Sequence, residues 1–262
     1  MVSAGEHQGQ PGWVTPTEFA SQRMPLGDLT VPRAPGVHLW YLDLGRLWQP
    51  LAAVMGEKSR QQGVQASEGD EAMTMQQLRF ARRFYLRMLL GVYLGAAGKD
   101  VALIRGPRGK PILDRERHPE EFHFSLSKSG QRLLIGISGT TEVGVDLELE
   151  KRQPRRTPEL ARRFFTDGEA RAIRALDSAE RDAAFMRIWA CKEAVAKASG
   201  HGIANRFCRF SIDAPASKPP EVVADDDHPA RGWQLALITP ERGYIAAVAV
   251  LQPSLRVEAF RV

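Results

Sequence analysis

Cysteine is scarce. Cys191 and Cys208 are the two among 262 residues, too few for a disulfide framework or a thiolate metal cluster, so both are expected as reduced thiols. Cys191 is not expected to act as a nucleophile. Long apolar runs are lacking as well: no stretch approaches the ~18 residues of a membrane span. Met1 to Gly12 is polar and has no apolar centre of the kind a secretory signal needs. The expectation is a cytoplasmic protein with no membrane partner. Nor is there an acidic excess: 36 Lys and Arg stand against 31 Asp and Glu, a net charge of +5. Arginine carries much of this charge, which favours phosphate-bearing ligands or acidic protein partners. Composition alone therefore leaves nucleic acid open.

With 43% hydrophobic residues the chain can bury a sizeable core, and its length suits one large domain or two lobes. Residues 1–35 are rich in Pro, Gly and polar side chains and read as a flexible arm. Val37 to Leu44 is a strand by β-branched and aromatic content. Gly56 to Glu71 reads as a loop or irregular helix. From Met75 to Leu94 the recurrence of Phe80, Phe84, Leu90 and Leu94 predicts a helix, ended by Gly95 or Gly98. A short strand at 101–104, a glycine-rich basic turn from Gly106 to Pro111, and a hairpin of 122–127 with 132–138 follow. Val143 to Glu150 is the next strand. Helices are expected from Thr157-Pro158, from Thr166 to Leu176 and from Asp177 to Gly200, with Thr157 as N-cap of the first. Strands are expected at 207–212, 233–238 and 244–251, with an edge strand at 255–262 and a Pro- and Asp-rich loop over 214–231.

The helix before Gly200 carries an anomaly. At 3.6 residues per turn Phe185, Ile188, Trp189, Val195 and Ala196 form one apolar band, and Lys192 falls in its middle. An unpaired ammonium is costly to bury, so an anion is expected to meet it. A lysine snorkelling at the band's edge is the plainer alternative. Glu193 and Lys197 share a neighbouring face at i and i+4.

The strand at 143–150 alternates: Val143, Val145, Leu147 and Leu149 share one face, and Gly144, Asp146, Glu148 and Glu150 the other. A carboxylate row is either solvated or a hard-cation site, because carboxylates at i and i+2 project together and Mg²⁺ takes one or two of them with phosphate oxygens and water. Further on, Thr166 and Glu169 make a capping box, which explains Glu169 without any catalytic role.

Shifting the chain by 105 positions lays Phe80, Arg82, Phe84, Arg87 and Gly95 on Phe185, Arg187, Trp189, Lys192 and Gly200, and Leu39 to Leu44 on Gly144 to Leu149. Strand and helix together point to an internal duplication. The fold expected is α+β, with two similar α/β lobes about a pseudo-twofold axis, residues 36–138 and 139–262. Arg87 and Lys192 would then converge on an anionic ligand between them. Opposite Asp146, Glu148 and Glu193 the first lobe has Tyr41, Asp43 and Met88, so the second lobe alone can hold the metal.

Gly144-Val-Asp-Leu-Glu148 followed by Trp189-Ala-Cys-Lys-Glu-Ala-Val-Ala-Lys197 resembles the signature of the 4′-phosphopantetheinyl transferases, in the larger two-lobed class typified by the surfactin-synthetase activator. Gly109-Lys-Pro111, Phe124 to Ser129 and Arg163 to Glu169 extend the resemblance over roughly residues 37–250. It implies transfer of the phosphopantetheine arm of coenzyme A to a serine of an apo acyl or peptidyl carrier protein of fatty acid, polyketide or peptide synthesis, releasing adenosine 3′,5′-bisphosphate. It further implies Asp146, Glu148 and Glu193 around Mg²⁺, or Mn²⁺ in its place. Lys192 and Lys197 would meet the leaving phosphate, and Lys110, Ser127 and Lys128 the 3′-phosphate, with Asp146 also beside the cofactor. Glu193 or Glu169 would be the base for the acceptor serine. Ala190 and Lys128 depart from the family's usual small polar residue and histidine. A monomer is expected, with exposed arginines such as Arg162 and Arg163 attracting an acidic carrier helix.

Two other classes compete. A nucleic-acid-binding protein would use the basic helix, but the row Asp146, Glu148, Glu150 would repel phosphate and no binding motif is present. Another Mg²⁺-dependent phosphoryl or nucleotidyl transferase would keep the metal site and change the substrate.

Overall fold

A computed structural model of the chain describes residues 13–14, 19–23, 26–27, 29–60, 73–106, 109–119, 122–150, 156–200 and 207–262. Two short strands, β1 (Trp13–Val14) and β2 (Ala20–Ser21), come first. The first half continues with β3 (Gly36–Asp43), α1 (Leu44–Arg60), α2 (Met75–Leu94), β4 (Leu103–Arg105), β5 (Pro111–Leu113), β6 (His123–Ser129) and β7 (Arg132–Ser138). The second half has β8 (Val143–Leu149), α3 (Thr157–Phe164), α4 (Asp167–Ala175), α5 (Ser178–Ala198), β9 (Phe210–Asp213), β10 (Glu221–Asp225), β11 (Trp233–Ile238), β12 (Tyr244–Leu251) and β13 (Leu255–Arg261). No helix among the described residues is long and apolar enough to cross a membrane.

Period-two alternation builds four layers. A six-stranded sheet runs β1-β13-β3-β7-β6 with β2 also on β13, and a three-stranded sheet runs β11-β12-β8. Their inner faces pack together through Val37, Leu39, Tyr41 and Leu134 on one side and Val143, Val145, Leu147 and Val248 on the other. The opposite face of β3 sends Trp40 and Leu42 into a core with Leu78, Tyr85 and Leu89 of α2. On the far side, α5 covers the outer face of β8 and β12, where Ala247 and Ala249 join its core. A helix wedged between a sheet and other helices is apolar nearly all round, and Phe185, Ile188, Cys191, Ala194, Val195 and Ala198 of α5 are all buried.

Close approach of α5 to β8 depends on Gly144. A Cβ there would collide with the Ala194 carbonyl oxygen and lie 2.6 Å from the Ala198 nitrogen, both backbone atoms of α5. Gly144→Ala is therefore expected to lower stability by about 1–3 kcal/mol, the usual range for overpacking, read as a lower denaturant midpoint with unchanged slope.

The positions that the 105-residue shift pairs fall on corresponding elements. Arg87 in α2 and Lys192 in α5 hold equivalent places, and Gly95 and Gly200 both adopt left-handed backbone, φ 61° and 67°, where glycine avoids the Cβ clash. Other expectations change. The segment after β3 is helical: Leu44, Leu47, Trp48 and Leu51 fall at helical spacing and pack on the first core, although Gly45 and Pro50 interrupt the pattern. Of 56–71, expected as a loop or an irregular helix, only residues 56–60 are described, and they end α1. Helix α2 buries Leu78, Ala81, Tyr85 and Leu89, leaving Phe80 and Phe84 exposed and stacked on each other at 6.2 Å. Strand β10 forms inside the expected 214–231 loop and pairs with β9. Thr157 does not cap α3; its hydroxyl donates to Asp182 Oδ1 of α5 at 2.5 Å. Strand β13 is no edge of the second lobe. It crosses into the first sheet, parallel to β3, with β1 and β2 on its other side.

Candidate functional site

Strand β8 ends its sheet, and β6 ends the other; the two edges come alongside, with Val145 N donating to Ser125 Oγ at 3.2 Å. Asp146, on the outer face of β8, is 2% exposed. Over it lies α5, whose Lys197 Nζ reaches Asp146 Oδ1 at 2.7 Å, Glu193 Oε2 at 3.2 Å, the Val145 carbonyl at 3.0 Å and Ser127 Oγ at 3.2 Å. The Ser127 hydroxyl donates to Asp146 Oδ1 at 2.9 Å. Four predicted residues thus meet at the seam between the lobes: Asp146, Ser127, Glu193 and Lys197. Glu148 stands two residues on along the same face of β8 and is half-buried.

Electrostatics mark this cluster. Burial and the Asp146 charge raise the Glu193 carboxyl above its ordinary pKa, against the pull of Lys197. Burial lowers Lys197, but Asp146 and Glu193 outweigh it and leave the ammonium above its usual value. Asp146 Oδ2 is buried and has no hydrogen-bond partner among the described residues. An orphaned carboxylate oxygen is expensive. No three His, Cys, Asp or Glu among the described residues form a metal-holding cluster by themselves. A hard cation needs no such cluster, since Mg²⁺ commonly takes one or two carboxylates and completes its shell with phosphate and water. The free Asp146 oxygen, with Glu193 on the same lysine, fits that donor set.

Lys192 and Glu169 lie elsewhere. Lys192 is fully buried in the second-lobe core, with Glu169 Oε2 at 2.9 Å and the carbonyls of Phe207 and Phe210 at 2.6 and 2.5 Å. Its ammonium sits 4.4 Å from the Phe210 ring centroid. The expected anion is there, supplied by the chain itself, and all three ammonium hydrogens are used. Burial pushes the Lys192 pKa down, against the pull of Glu169. Glu169 also closes its capping box on Thr166 N at 2.8 Å and accepts from Ile212 N at 2.8 Å. The repeated cation behaves alike: Arg87 donates to the Val101 carbonyl at 2.5 Å. Each mid-stripe cation fastens the segment that follows its own helix, so the two do not converge on one ligand. At Tyr41 and Asp43, which repeat Asp146 and Glu148, the first lobe has an inter-lobe lock instead. Arg132 holds Asp43 at 2.9 Å and Glu241 at 3.0 Å, and Tyr41 donates to Glu241 at 2.6 Å.

The three expected phosphate ligands are also divided. Ser127 shares its face of β6 with Ser125, and Lys128 points to the other face, exposed and without an ion pair or hydrogen bond among the described residues. Lys110 Nζ is held by Glu142 Oε2 at 2.9 Å and by the Lys197 carbonyl at 3.3 Å. Sequence reasoning passed over Glu142 and over His123, whose Nδ1 lies 3.0 Å from Glu142 Oε1. His123 stands four residues before Ser127 on the same strand, so period two alone put it on that face. Residues 107 and 108 of the basic turn, and 151–155 of the basic segment after β8, lie outside the described residues. Arg82, Arg83, Arg87 and Arg105 line a cleft of about 430 Å³ with Leu86, Ile104, Pro111 and Leu126 among its walls. Arg162, Arg171 and Arg174 border a second hollow between α3 and α4, beside Glu159 and Asp167. Cys191 is buried, and burial pushes its thiol up, away from nucleophilic use. Ala190 is buried against its neighbours in the core.

A family model for the 4′-phosphopantetheinyl transferase superfamily matches residues 142–249, from the start of β8 to β12. The 4′-phosphopantetheinyl transferase HetI of Nostoc sp. is 33% identical over 219 residues, covering 82% of this chain and 87% of HetI. The 4′-phosphopantetheinyl transferase Sfp of Bacillus subtilis is 29% identical over 156 residues, 59% of this chain and 65% of Sfp. A likeness of that depth to HetI, running nearly its whole length, together with a family match laid over the Asp146 strand and the Lys197 helix, makes this chain a member of the 4′-phosphopantetheinyl transferase family.

Proposed function

We propose that Asp146, Glu193 and Lys197 form the centre at which this enzyme does its chemistry. The reaction is transfer of the 4′-phosphopantetheine arm of coenzyme A to a serine hydroxyl of an apo carrier protein, with release of adenosine 3′,5′-bisphosphate. Asp146 and Glu193, with Glu148 at the outer end of the row, would hold Mg²⁺; bound there, it would neutralise and polarise the pyrophosphate. The buried, unpartnered Oδ2 of Asp146 is the observation that carries this reading.

Lys197 is one-fifth exposed at its side chain, and four acceptors surround its three hydrogens. It can therefore turn one hydrogen towards the leaving phosphate without losing its anchorage. A cation already in place, in a water-poor seam, stabilises charge growing on that phosphate with little reorganisation. Glu193 is the better candidate base for the acceptor serine: it stands in the seam beside Asp146 and Lys197, whereas Glu169 spends its oxygens on Lys192, Thr166 and Ile212. The arginine cleft offers the nucleotide end of coenzyme A a basic floor with apolar walls. It adjoins the seam, since Pro111 and Leu126 line it while their neighbours Lys110 and Ser127 face the Asp146 side. The exposed arginines at α3 and α4 suit the acidic face of a carrier.

Incubation with coenzyme A, Mg²⁺ and an apo carrier protein is expected to raise the carrier's mass by one phosphopantetheine, and removal of divalent cation by a chelator to stop the gain. An unmodified mass with fatty-acid, polyketide and peptide carriers alike would overturn the assignment.

A further inference from the structure

Glu142 has no role in the chemistry above, yet it occupies Lys110, one of the three residues expected to grip a phosphate, together with His123. It lies just before β8 and sets one carboxylate oxygen on each of two donors: Oε2 on Lys110 Nζ at 2.9 Å and Oε1 on His123 Nδ1 at 3.0 Å. The side chains of Lys110 and His123 are each 24% exposed, that of Glu142 51%. The donors are thus held in the seam, and the carboxylate covers them from the solvent side. Burial works against the charged form of Glu142, but the hydrogen bonds from His123 and Lys110 prevail and bring its pKa down to about 2. The anion is therefore fully formed at neutral pH. Lys110 keeps a second tie, to the carbonyl of Lys197 at 3.3 Å, so its ammonium stays in place when the carboxylate leaves.

We propose that Glu142 is a built-in competitor for the 3′-phosphate: in the free enzyme its carboxylate fills the Lys110–His123 cradle, and a phosphate monoester must displace it to bind. The inference rests on the reading of Lys110 as a 3′-phosphate ligand. Displacement is feasible because a half-exposed carboxylate regains water when it swings out, and ion pairs of such exposure are individually weak. The consequence is kinetic. Coenzyme A and adenosine 3′,5′-bisphosphate carry the same 3′-phosphate, so the competitor weakens both, and the product leaves a site that closes on itself with its own anion. Ligands lacking that phosphate do not meet the competitor.

Glu142→Gln removes the charge and keeps the shape. The variant is expected to bind adenosine 3′,5′-bisphosphate about three- to tenfold more tightly than the unaltered enzyme. Product inhibition should be stronger in proportion, and affinity for dephospho-coenzyme A should be unchanged. Titration calorimetry with the bisphosphate and with dephospho-coenzyme A measures the contrast. Glu142→Gln combined with Lys110→Gln should lose the gain. Unchanged or weaker bisphosphate binding in Glu142→Gln would make Glu142 a prop for Lys110 and overturn the proposal, as would equal tightening of both ligands. Carrier mass gain with the unaltered enzyme separates the two readings: binding that fails to respond in an enzyme that does transfer removes Glu142's role alone.

Discussion

Asp146→Asn lowers the turnover number for carrier modification by about 10²–10³-fold, the scale on which a preorganised charge in a water-poor site matters, while the protein still folds. The asparagine carbonyl can accept from Lys197 and Ser127 as Asp146 Oδ1 does, and Lys197 retains Glu193, the Val145 carbonyl and Ser127. What is lost is the negative charge that the unpartnered Oδ2 presents. That loss acts on the chemical step. Initial rates at saturating coenzyme A and carrier, with a denaturant melt of the same preparation, measure the effect. A turnover within a fewfold of the unaltered enzyme would remove Asp146 from the centre. Lys197→Met should cost a similar factor, because it strips the seam of its cation and leaves two carboxylates facing each other without compensation.

How far the site could be read in advance depends on whether a pattern is local. Period two in Val143 to Glu150 placed Asp146 and Glu148 on one face, and the outer face of β8 is where they stand. The same rule separates Ser127 from Lys128, which alternate on β6; their pairing comes from the resemblance and not from the strand's period. The helical stripe located Lys192 in a core and demanded an anion, and no pattern in the stripe could name Glu169, 23 positions upstream across two helices. A buried cation looks the same in sequence whether its counter-charge is a ligand or the chain. Helix α1 had its signal in Leu44, Leu47, Trp48 and Leu51, masked by Gly45 and Pro50. Strand β13 was legible as a strand at 255–262, but its place was not: Ala259 pairs with Leu39 across almost the full chain, and parallel pairing of that span leaves no mark on either segment alone.

Lys192→Met is expected to destabilise the fold by about 3–5 kcal/mol, the cost of breaking a buried pair by removing one partner. Methionine fills the volume and packs on Phe165 and Phe210, but the Phe207 and Phe210 carbonyls lose their donor and Glu169 loses its counter-charge in a site only 6% exposed. Urea melts of Lys192→Met, Glu169→Gln and the double variant test the cause. Glutamine can still accept from Ile212 N, so the double variant should recover a large part of the loss, as it does when stranded charge and not packing is the fault. The same proteins distinguish scaffold from catalyst. A lysine acting on the leaving phosphate would lower turnover with little change in stability; one that ties α5 to α4 and to the segment before β9 does the reverse. At low temperature, where Lys192→Met remains folded, its turnover should therefore stay far above that of Lys197→Met. The difference between two lysines five residues apart on one helix follows from geometry: Lys197 faces the seam with part of its side chain in water, and Lys192, on the opposite side, faces Glu169 with none.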